Sequence, residues 1–255
     1  MFEFPLKRYG LIGYPLGHSF SEQYFAAKFA REGIVDAQYN LFPLENLALL
    51  PDLLQQNPTL QGLNVTIPYK EKVIPYCYKL DEIAQAIGAV NCLKKVSEQQ
   101  WVGYNTDAIG FEQSLQRLDG GQWLSGPHLQ AYILGTGGAS KAVAYVLQKH
   151  QIPVTYISRN PRQKGQISYK DLSPSHFSAN TLLIQTTPLG THPNTEEMPP
   201  ISPTLFYPGM LVYDLIYNPA ETLLLREAKS HECTVMNGLE MLTLQAEAAW
   251  DIWQV

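Results

Sequence analysis

The stretch NVTIPYKE brings Asn64, Thr66 and Lys70 close together in the chain. Read as a strand ending at Pro68, it turns Asn64 and Thr66 to one face and Val65 and Ile67 to the other. Pro68 then starts a turn of helix carrying Lys70. An amide and a hydroxyl on one face form a hydrogen-bonding surface, and an amine at its mouth can move a proton. Further on, GAVN contributes Asn91 and GYNTDAIG contributes Asp107. Each also has a plain structural reading. Asp107 can cap the helix that follows it, Asn91 can close a strand end, and Lys70 can be a solvated residue of a first helical turn.

A second group of residues points to a nucleotide. GTGGAS lies between the apolar run LQAYIL and the helix-like KAVAYVLQKH. In that setting Gly135 allows a tight turn and Gly137 lets the backbone approach a pyrophosphate. Ser140 fills the third, small-residue position, and the N–H groups at the helix start face the phosphates. A NAD site places an acid about 20 residues on, against the ribose 2′-hydroxyl. This chain has Ser158, Arg159 and Asn160 there, then Arg162 and Lys164, with no acid. A guanidinium at that point suits the 2′-phosphate of NADP; the alternative is a solvated basic loop.

Other chemistry is weakly represented. Tyr-x-x-x-Lys, a signature of one dehydrogenase family, occurs at Tyr24/Lys28 and Tyr145/Lys149. With 15 tyrosines in the chain both are expected to be accidental. Cys77, Cys92 and Cys233 are scattered and odd in number, which fits a reducing cytoplasm rather than a disulfide framework. The histidines show no metal-ligand spacing, so no metal is expected. A net charge of −5 carries none of the basic surplus of a nucleic-acid binder. No apolar run approaches the roughly 20 residues that span a bilayer. The opening MFEFPLKRYG lacks the apolar core of a signal peptide. The expected partner is therefore a small molecule, for a cytoplasmic monomer or homodimer.

These residues must be positioned by alternating strands and helices. The first block runs YGLIGY, the helical SEQYFAAKFAREG, AQYNLF, the helical ENLALLPDLLQQ and LQGLNVTI, then a helical DEIAQAIG and the strand candidates AVNCLKK and QQWVGYN. DAIGFEQSLQRL is amphipathic, with Ile109, Leu115 and Leu118 at near-helical spacing. DGGQWLSGPH is a turn-rich break. The second block continues with LQAYIL, VTYIS, TLLIQTT and MLVYDLIY. Its tail, GLEMLTLQAEAAWDIW, places Leu239, Leu242, Ala246, Ala249 and Trp253 on one helical stripe. Strands alternating with helices imply a mostly parallel α/β sheet.

Taken in order, GYPLGHSFS, NVTIPYKE, GAVN, GYNTDAIG, GTGGAS, SRN, TTPLG, DLIYNPAETLLL and NGLEMLTLQ make the chain resemble the shikimate dehydrogenase family over nearly its whole length. That family reduces 3-dehydroshikimate to shikimate with NADPH, in the route to chorismate and the aromatic amino acids. The resemblance implies an α/β fold of two domains. One is an N-terminal α/β substrate domain with a mainly parallel sheet, residues 1–106 plus 240–255. The other, 107–239, is a Rossmann-type doubly wound nucleotide domain, and the C-terminal helix returns to the first. The chemistry is expected in a cleft between them.

Carried over residue by residue, the resemblance implies that Ser19 and Ser21 bind the substrate carboxylate, and that Asn64, Thr66, Asn91 and Gln245 hold ring hydroxyls. Lys70 and Asp107 form the catalytic pair. Gly135, Gly137, Gly138 and Ala139 wrap the pyrophosphate, and Ser158, Arg159 and Asn160 take the adenosine 2′-phosphate. Thr187, Leu215, Tyr217, Gly238 and Met241 lie on the nicotinamide side, with Tyr217 counted among the substrate contacts. The match departs from the family pattern at several points. Glu22 replaces a proline and creates a possible Ser19–Glu22 capping box. Gln185 replaces an asparagine, Thr191 a methionine and Lys141 an arginine. The segment after Asn160 is also too short for a full crossover helix. The alternatives to a shikimate enzyme are a quinate or amino-shikimate dehydrogenase, and a nucleotide-sensing relative that lost catalysis.

Overall fold

The computed structural model describes residues 6–17 and 20–255. The chain forms two compact units: one runs to Thr106 and resumes at Gln245, and the other spans Asp107–Leu244.

The first unit contains β1 (Lys7–Gly13), α1 (Phe20–Glu32), β2 (Ala37–Pro43), α2 (Leu50–Gln56), β3 (Leu60–Val65), β4 (Lys79–Leu80), α3 (Glu82–Ile87), β5 (Cys92–Ser97) and β6 (Gln100–Tyr104). The sheet order is β2-β1-β3-β5-β6-β4. β1 pairs parallel with β2 and β3, whereas β3–β5 and β5–β6 are antiparallel. AVNCLKK and QQWVGYN therefore form a hairpin, which their short connection demands, since a parallel pair needs a long crossover. ENLALLPDLLQQ is split into a 3₁₀ turn at Leu47–Leu49 and then α2. Pro51 lies in the first turn of α2, where its missing N–H is no loss. α3 is closed at both ends: Asp81 accepts from Ala84 N, and Gly88 takes the left-handed conformation with φ 69°.

Alternation along β1 and β3 sorts the core into two layers. Ile12, Leu63 and Val65 join Leu50, Leu60 and Trp101 on one side. On the other, Tyr9, Leu11, Phe25, Tyr39 and Cys92 pack with Ala246, Ala249 and Trp253. The last three belong to α8 (Leu239–Gln254), which enters the first unit at Gln245. Trp253 lies so close to β3 that a Cβ on Gly62 would sit 2.2 Å from its Nε1. The same indole N–H donates to Leu93 O at 3.1 Å. Leu239 of the expected apolar stripe is exposed instead, at the first position of α8.

The second unit opens with α4 (Thr106–Asp119), whose first residue still belongs to the first unit. Then come α5 (Gln122–Ser125), β7 (Gln130–Leu134), α6 (Gly138–Lys149), β8 (Val154–Ser158), β9 (Gln166–Ser168), β10 (Thr181–Gln185), β11 (Leu211–Asp214), α7 (Leu223–Ser230) and β12 (Thr234–Met236). The turn-rich break thus holds a single helical turn, α5. All pairings in this sheet are parallel, in the order β12-β11-β10-β7-β8-β9. This is the Rossmann order: the chain winds outward from β7 to β9, returns to the middle, and winds outward again from β10 to β12. The short segment after Asn160 forms no α-helix; it passes directly into β9 and then 3₁₀ turns at Tyr169–Asp171 and Pro174–His176. α4 is anchored by Phe111 stacked on Tyr213 and by Ser114 Oγ 2.8 Å from the Tyr213 hydroxyl.

Gly62→Ala should destabilise the protein by about 1–3 kcal/mol through overpacking against Trp253. Urea unfolding followed by tryptophan fluorescence measures this, and an unchanged midpoint would show that the indole has room to move.

Candidate functional site

β3 ends at Val65, two residues before the expected strand, which runs to Ile67. Thr66 to Tyr69 form a turn in which Tyr69 N donates to Thr66 O at 2.9 Å. Pro68 thus lies inside a turn and does not start a helix. Lys70 follows, half-buried, with its carbonyl accepting from Val90 N at 2.7 Å. Thr66 is half-buried and tied to β1 through Thr66 N and Ile12 O, 2.9 Å apart.

Asn64 projects from β3 onto the face covered by α1 and α8. Its Oδ1 accepts from the Tyr39 hydroxyl at 2.8 Å, and its Nδ2 donates to Asn91 O at 3.4 Å. Asn91, just before β5, is more heavily engaged. Its Nδ2 donates to Thr106 Oγ1 at 3.0 Å and to Gln245 Oε1 at 3.4 Å, while its Oδ1 accepts from Thr106 N at 2.6 Å. Thr106 Oγ1 also reaches Gln245 Oε1, at 3.3 Å. On the opposite flank, Ser21 of α1 hydrogen-bonds the Tyr39 hydroxyl. Ser21, Asn64, Asn91 and Gln245 are all buried, so four of the expected substrate residues form one connected polar array. Buried amides and hydroxyls require such satisfaction. Ser19 lies outside the described residues, so the expected Ser19–Glu22 capping box lies partly outside them too. Thr106 and Tyr39 were not singled out from the sequence. Thr106 lies inside the quoted motif GYNTDAIG, whereas Tyr39 had no local signal at all.

Asp107 is buried within the first turn of α4, and the helix already starts at Thr106. The backbone N–H of Thr106 is bound by Asn91, so the capping reading of Asp107 gives way to that of a first-turn acid.

The Tyr24/Lys28 pair has a structural job. Lys28 Nζ reaches Glu247 of α8 at 2.6 Å and Glu32 at 3.0 Å, and the Tyr24 hydroxyl also donates to Glu247. Burial pushes the lysine pKa down, but the two glutamates outweigh it and the net shift is upward. In the second pair, Lys149 binds Glu112 at 2.8 Å.

In the second unit the winding direction reverses between β7 and β10, and ligands of doubly wound sheets bind beyond the strand ends at such a point. The loops there are Gly135–Gly138 and Thr186–Gly190. Gly135 has φ +102°, and a Cβ on it would lie 2.9 Å from both Thr186 Oγ1 and Thr187 Cγ2. Only glycine fits that conformation and that space. Gly137 precedes α6 in extended conformation, with no side chain capping the helix and open space, nothing within 4 Å, where a Cβ would stand. Gly138 and Ala139 are half-buried and lead the helix, whose first N–H groups are suited to an anion. Ser140 is buried and donates to Gly137 O at 2.6 Å.

Ser158 ends β8, and Asn160 N donates to its Oγ at 3.2 Å. Arg159 and Asn160 are exposed, and no carboxylate occurs between Gln151 and Lys170. These features fit a phosphorylated ribose better than a bare one. Gln185, a departure from the family pattern, is buried and closes its own loop. Its Nε2 donates to Leu189 O at 3.2 Å and its Oε1 accepts from Thr187 N at 3.0 Å.

Leu215 and Tyr217 follow β11, where Leu215 N donates to Gln185 O at 3.0 Å. A Cβ on Gly238 would lie 2.0 Å from Leu215 O, so that glycine permits the close approach of two backbones. Met241 is buried in α8. The segment is clasped by Asp214, the first residue of DLIYNPAETLLL and one to which the sequence reading gave no role. Its Oδ1 accepts from Ile216 N at 3.0 Å and its Oδ2 from Thr222 Oγ1 at 2.7 Å. Thr222 in turn caps α7. Burial pushes the Asp214 carboxyl up to about 6, against the pull of Thr222 and Ile216. Among the described residues no cluster of histidine, cysteine, aspartate or glutamate could hold a metal ion, and no helix is long and apolar enough to cross a membrane.

Because the fold raises the Asp214 pKa from 3.8 to about 6, the folded protein holds this proton more tightly than the unfolded chain. Its contribution to stability is complete below the lower value and is lost as pH rises through the upper one. Asp214→Asn cannot titrate. The unfolding free energy of the wild type minus that of this variant should therefore decline from about pH 4 to about pH 6.5 and level off above. Paired urea titrations test this, and a pH-independent difference would refute it.

Residues 11–93 match the family model described as the shikimate dehydrogenase substrate binding domain. The chain is 36% identical over 262 residues to a shikimate dehydrogenase (NADP(+)) of Methanothermobacter thermautotrophicus, covering 96% of this chain and 89% of that protein. A chorismate mutase/shikimate 5-dehydrogenase fusion protein from Clostridium acetobutylicum superposes with TM-score 0.86 at 35% identity, over 98% of this chain and 91% of that one. Shikimate 5-dehydrogenase from Thermus thermophilus, solved in complex with NADP(H) and shikimate, gives TM-score 0.83 at 31% identity over 97% and 93% of the two chains. With this extent of identity along both units, the chain belongs to the shikimate dehydrogenase family.

Proposed function

We propose that this protein catalyses the reversible NADPH-dependent reduction of 3-dehydroshikimate to shikimate, a step of chorismate and aromatic amino acid biosynthesis. The observation that carries the reading is the buried array of Ser21, Asn64, Asn91 and Gln245. It offers hydroxyl and amide groups and no acid of its own, which suits a small anion bearing several hydroxyls. A site built from such groups also discriminates, because a missing substrate hydroxyl leaves a buried polar partner unpaired.

The residues that would hold the cofactor are those of the two loops at the strand reversal. Gly135, Gly137, Gly138 and Ala139 receive the pyrophosphate, and Ser158, Arg159 and Asn160 receive the 2′-phosphate. Thr187, Leu215, Gly238 and Met241 line the nicotinamide side. When bound, NADPH supplies the hydride. Ser19 and Ser21 hold the substrate carboxylate, and Asn64, Thr66, Asn91, Gln245 and Tyr217 orient the ring. Lys70 gives a proton to the carbonyl oxygen in reduction and takes it from the hydroxyl in oxidation, with Asp107 as the other member of the pair. The unit that runs to Thr106 and resumes at Gln245 is assigned to the substrate and the Asp107–Leu244 unit to the dinucleotide. The three free thiols, Cys77, Cys92 and Cys233, suit a cytoplasmic setting.

Turnover of shikimate and of quinate, each with NADP and with NAD, is read from the near-ultraviolet absorbance of reduced nicotinamide. Shikimate with NADP should be the preferred combination, and absence of turnover with shikimate would refute the proposal. Lys70→Ala should lower kcat by about 10²- to 10⁴-fold with little change in KM, as loss of an acid–base group does. Near-normal turnover would remove Lys70 from the chemistry. Arg159→Ser should raise KM for NADP by about 10- to 100-fold, the worth of a charge-assisted phosphate contact, and leave KM for NAD unchanged. Equal effects on both cofactors would place Arg159 away from the 2′-phosphate.

A further inference from the structure

Tyr39 holds none of the roles assigned so far, yet it joins the residues that do. In the order β2-β1-β3, Tyr9 of β1 pairs with both Tyr39 and Gly62, and Leu11 pairs with Leu41 and Asn64. Tyr39 and Asn64 therefore share a face of the sheet, and the tyrosine reaches across β1 to place its hydroxyl 2.8 Å from Asn64 Oδ1. Its ring is stacked on Phe25 with centroids 4.4 Å apart and planes 15° from parallel, so the hydroxyl is aimed by packing. Burial holds the Tyr39 pKa well above the ordinary tyrosine value, against the hydrogen bond from Ser21, and keeps the group protonated.

The proton count then fixes the directions. A tyrosine hydroxyl has one hydrogen. The amide oxygen of Asn64 can only accept, so the Tyr39 hydrogen goes there, and the phenolic oxygen is left to accept from Ser21. The Asn64 amide is thereby held with its oxygen toward Tyr39 and its nitrogen turned the other way, the side on which it meets Asn91 O at 3.4 Å.

We propose that Tyr39 is a positioning residue, which fixes the Asn64 amide as a donor and steadies Ser21, so that the array favours a ligand presenting hydroxyl oxygens beside a carboxylate. The inference deepens the functional reading above and rests on it. Tyr39→Phe keeps the stacked ring and removes only the hydroxyl. It leaves a buried amide oxygen without its donor and lets the Asn64 amide turn over.

Calorimetric titration of the full chain with shikimate alone, without cofactor, measures the effect directly. Tyr39→Phe should bind about 10- to 50-fold more weakly, as expected for an unsatisfied buried acceptor. In turnover, KM for shikimate should rise by a similar factor, with kcat and KM for NADP nearly unchanged. In an Asn64→Ala background the same change should cause a much smaller loss, because its principal target is gone. Unchanged shikimate affinity in Tyr39→Phe, with or without a lower unfolding temperature, overturns the inference. An equal loss in both backgrounds also overturns it. A wild-type protein that neither binds nor turns over shikimate overturns the functional reading and this inference with it.

Discussion

The side-chain amide of Asn91 is the point on which the first unit depends. The chain leaves that unit after Thr106 and re-enters it at Gln245, and Asn91 binds both residues. Its backbone takes part as well: Asn91 O accepts from Val65 N, and Asn91 N donates to Tyr104 O. A single buried residue therefore fixes the end of β3, the end of β6, the start of α4 and the entry of α8. Such an amide is costly to bury unless its polar atoms are paired, which makes this arrangement all-or-none. The array expected to meet the substrate is built on that frame, so the residues that would hold a ligand also hold the fold.

The second unit relies on a different constraint. Its sheet is entirely parallel, so every strand ends on the same edge, and the reversal between β7 and β10 leaves a gap there. Gly135 and Thr187 face each other across it because Gly135 lacks a Cβ. On one flank Gln185 draws the Thr186–Leu189 turn together, and on the other Asp214 and Thr222 clasp the segment holding Leu215 and Tyr217. These contacts bind backbone to side chain within a few residues, so they set loop shapes locally. Where the sequence departs from its family, at Gln185, the longer amide still closes the turn.

Much of this was legible in the residues themselves. GTGGAS between an apolar run and a helical one gave the glycine turn between β7 and α6, because glycine's freedom and the helix N-terminus are local properties. The alternation in NVTI gave the face that Asn64 shares with the second core layer. The brevity of the segment after Asn160 ruled out a crossover helix, and β9 follows there directly. One feature was misread for an equally local reason. Pro68 reads as a helix starter, yet the chain turns at Thr66–Tyr69, because strand pairing ends at Val65 and Tyr69 N finds Thr66 O. AVNCLKK and QQWVGYN, two strand candidates within a mostly parallel sheet, pair with each other as an antiparallel hairpin.

The residues alone were enough for the two blocks of strands and helices, the glycine-rich turn before α6, the basic residues after β8 and the family to which the chain belongs. These follow from periodicity, from the conformations open to glycine and proline, and from motifs only a few residues long. Tertiary structure alone decided which polar side chains meet. Tyr39 lies 25 residues from Asn64, and Asn91 lies 154 from Gln245; in each case the partners come from different elements. The physical reason is that a hydrogen bond acts over about 3 Å. No pattern along the chain records that proximity until strands have paired and helices have packed.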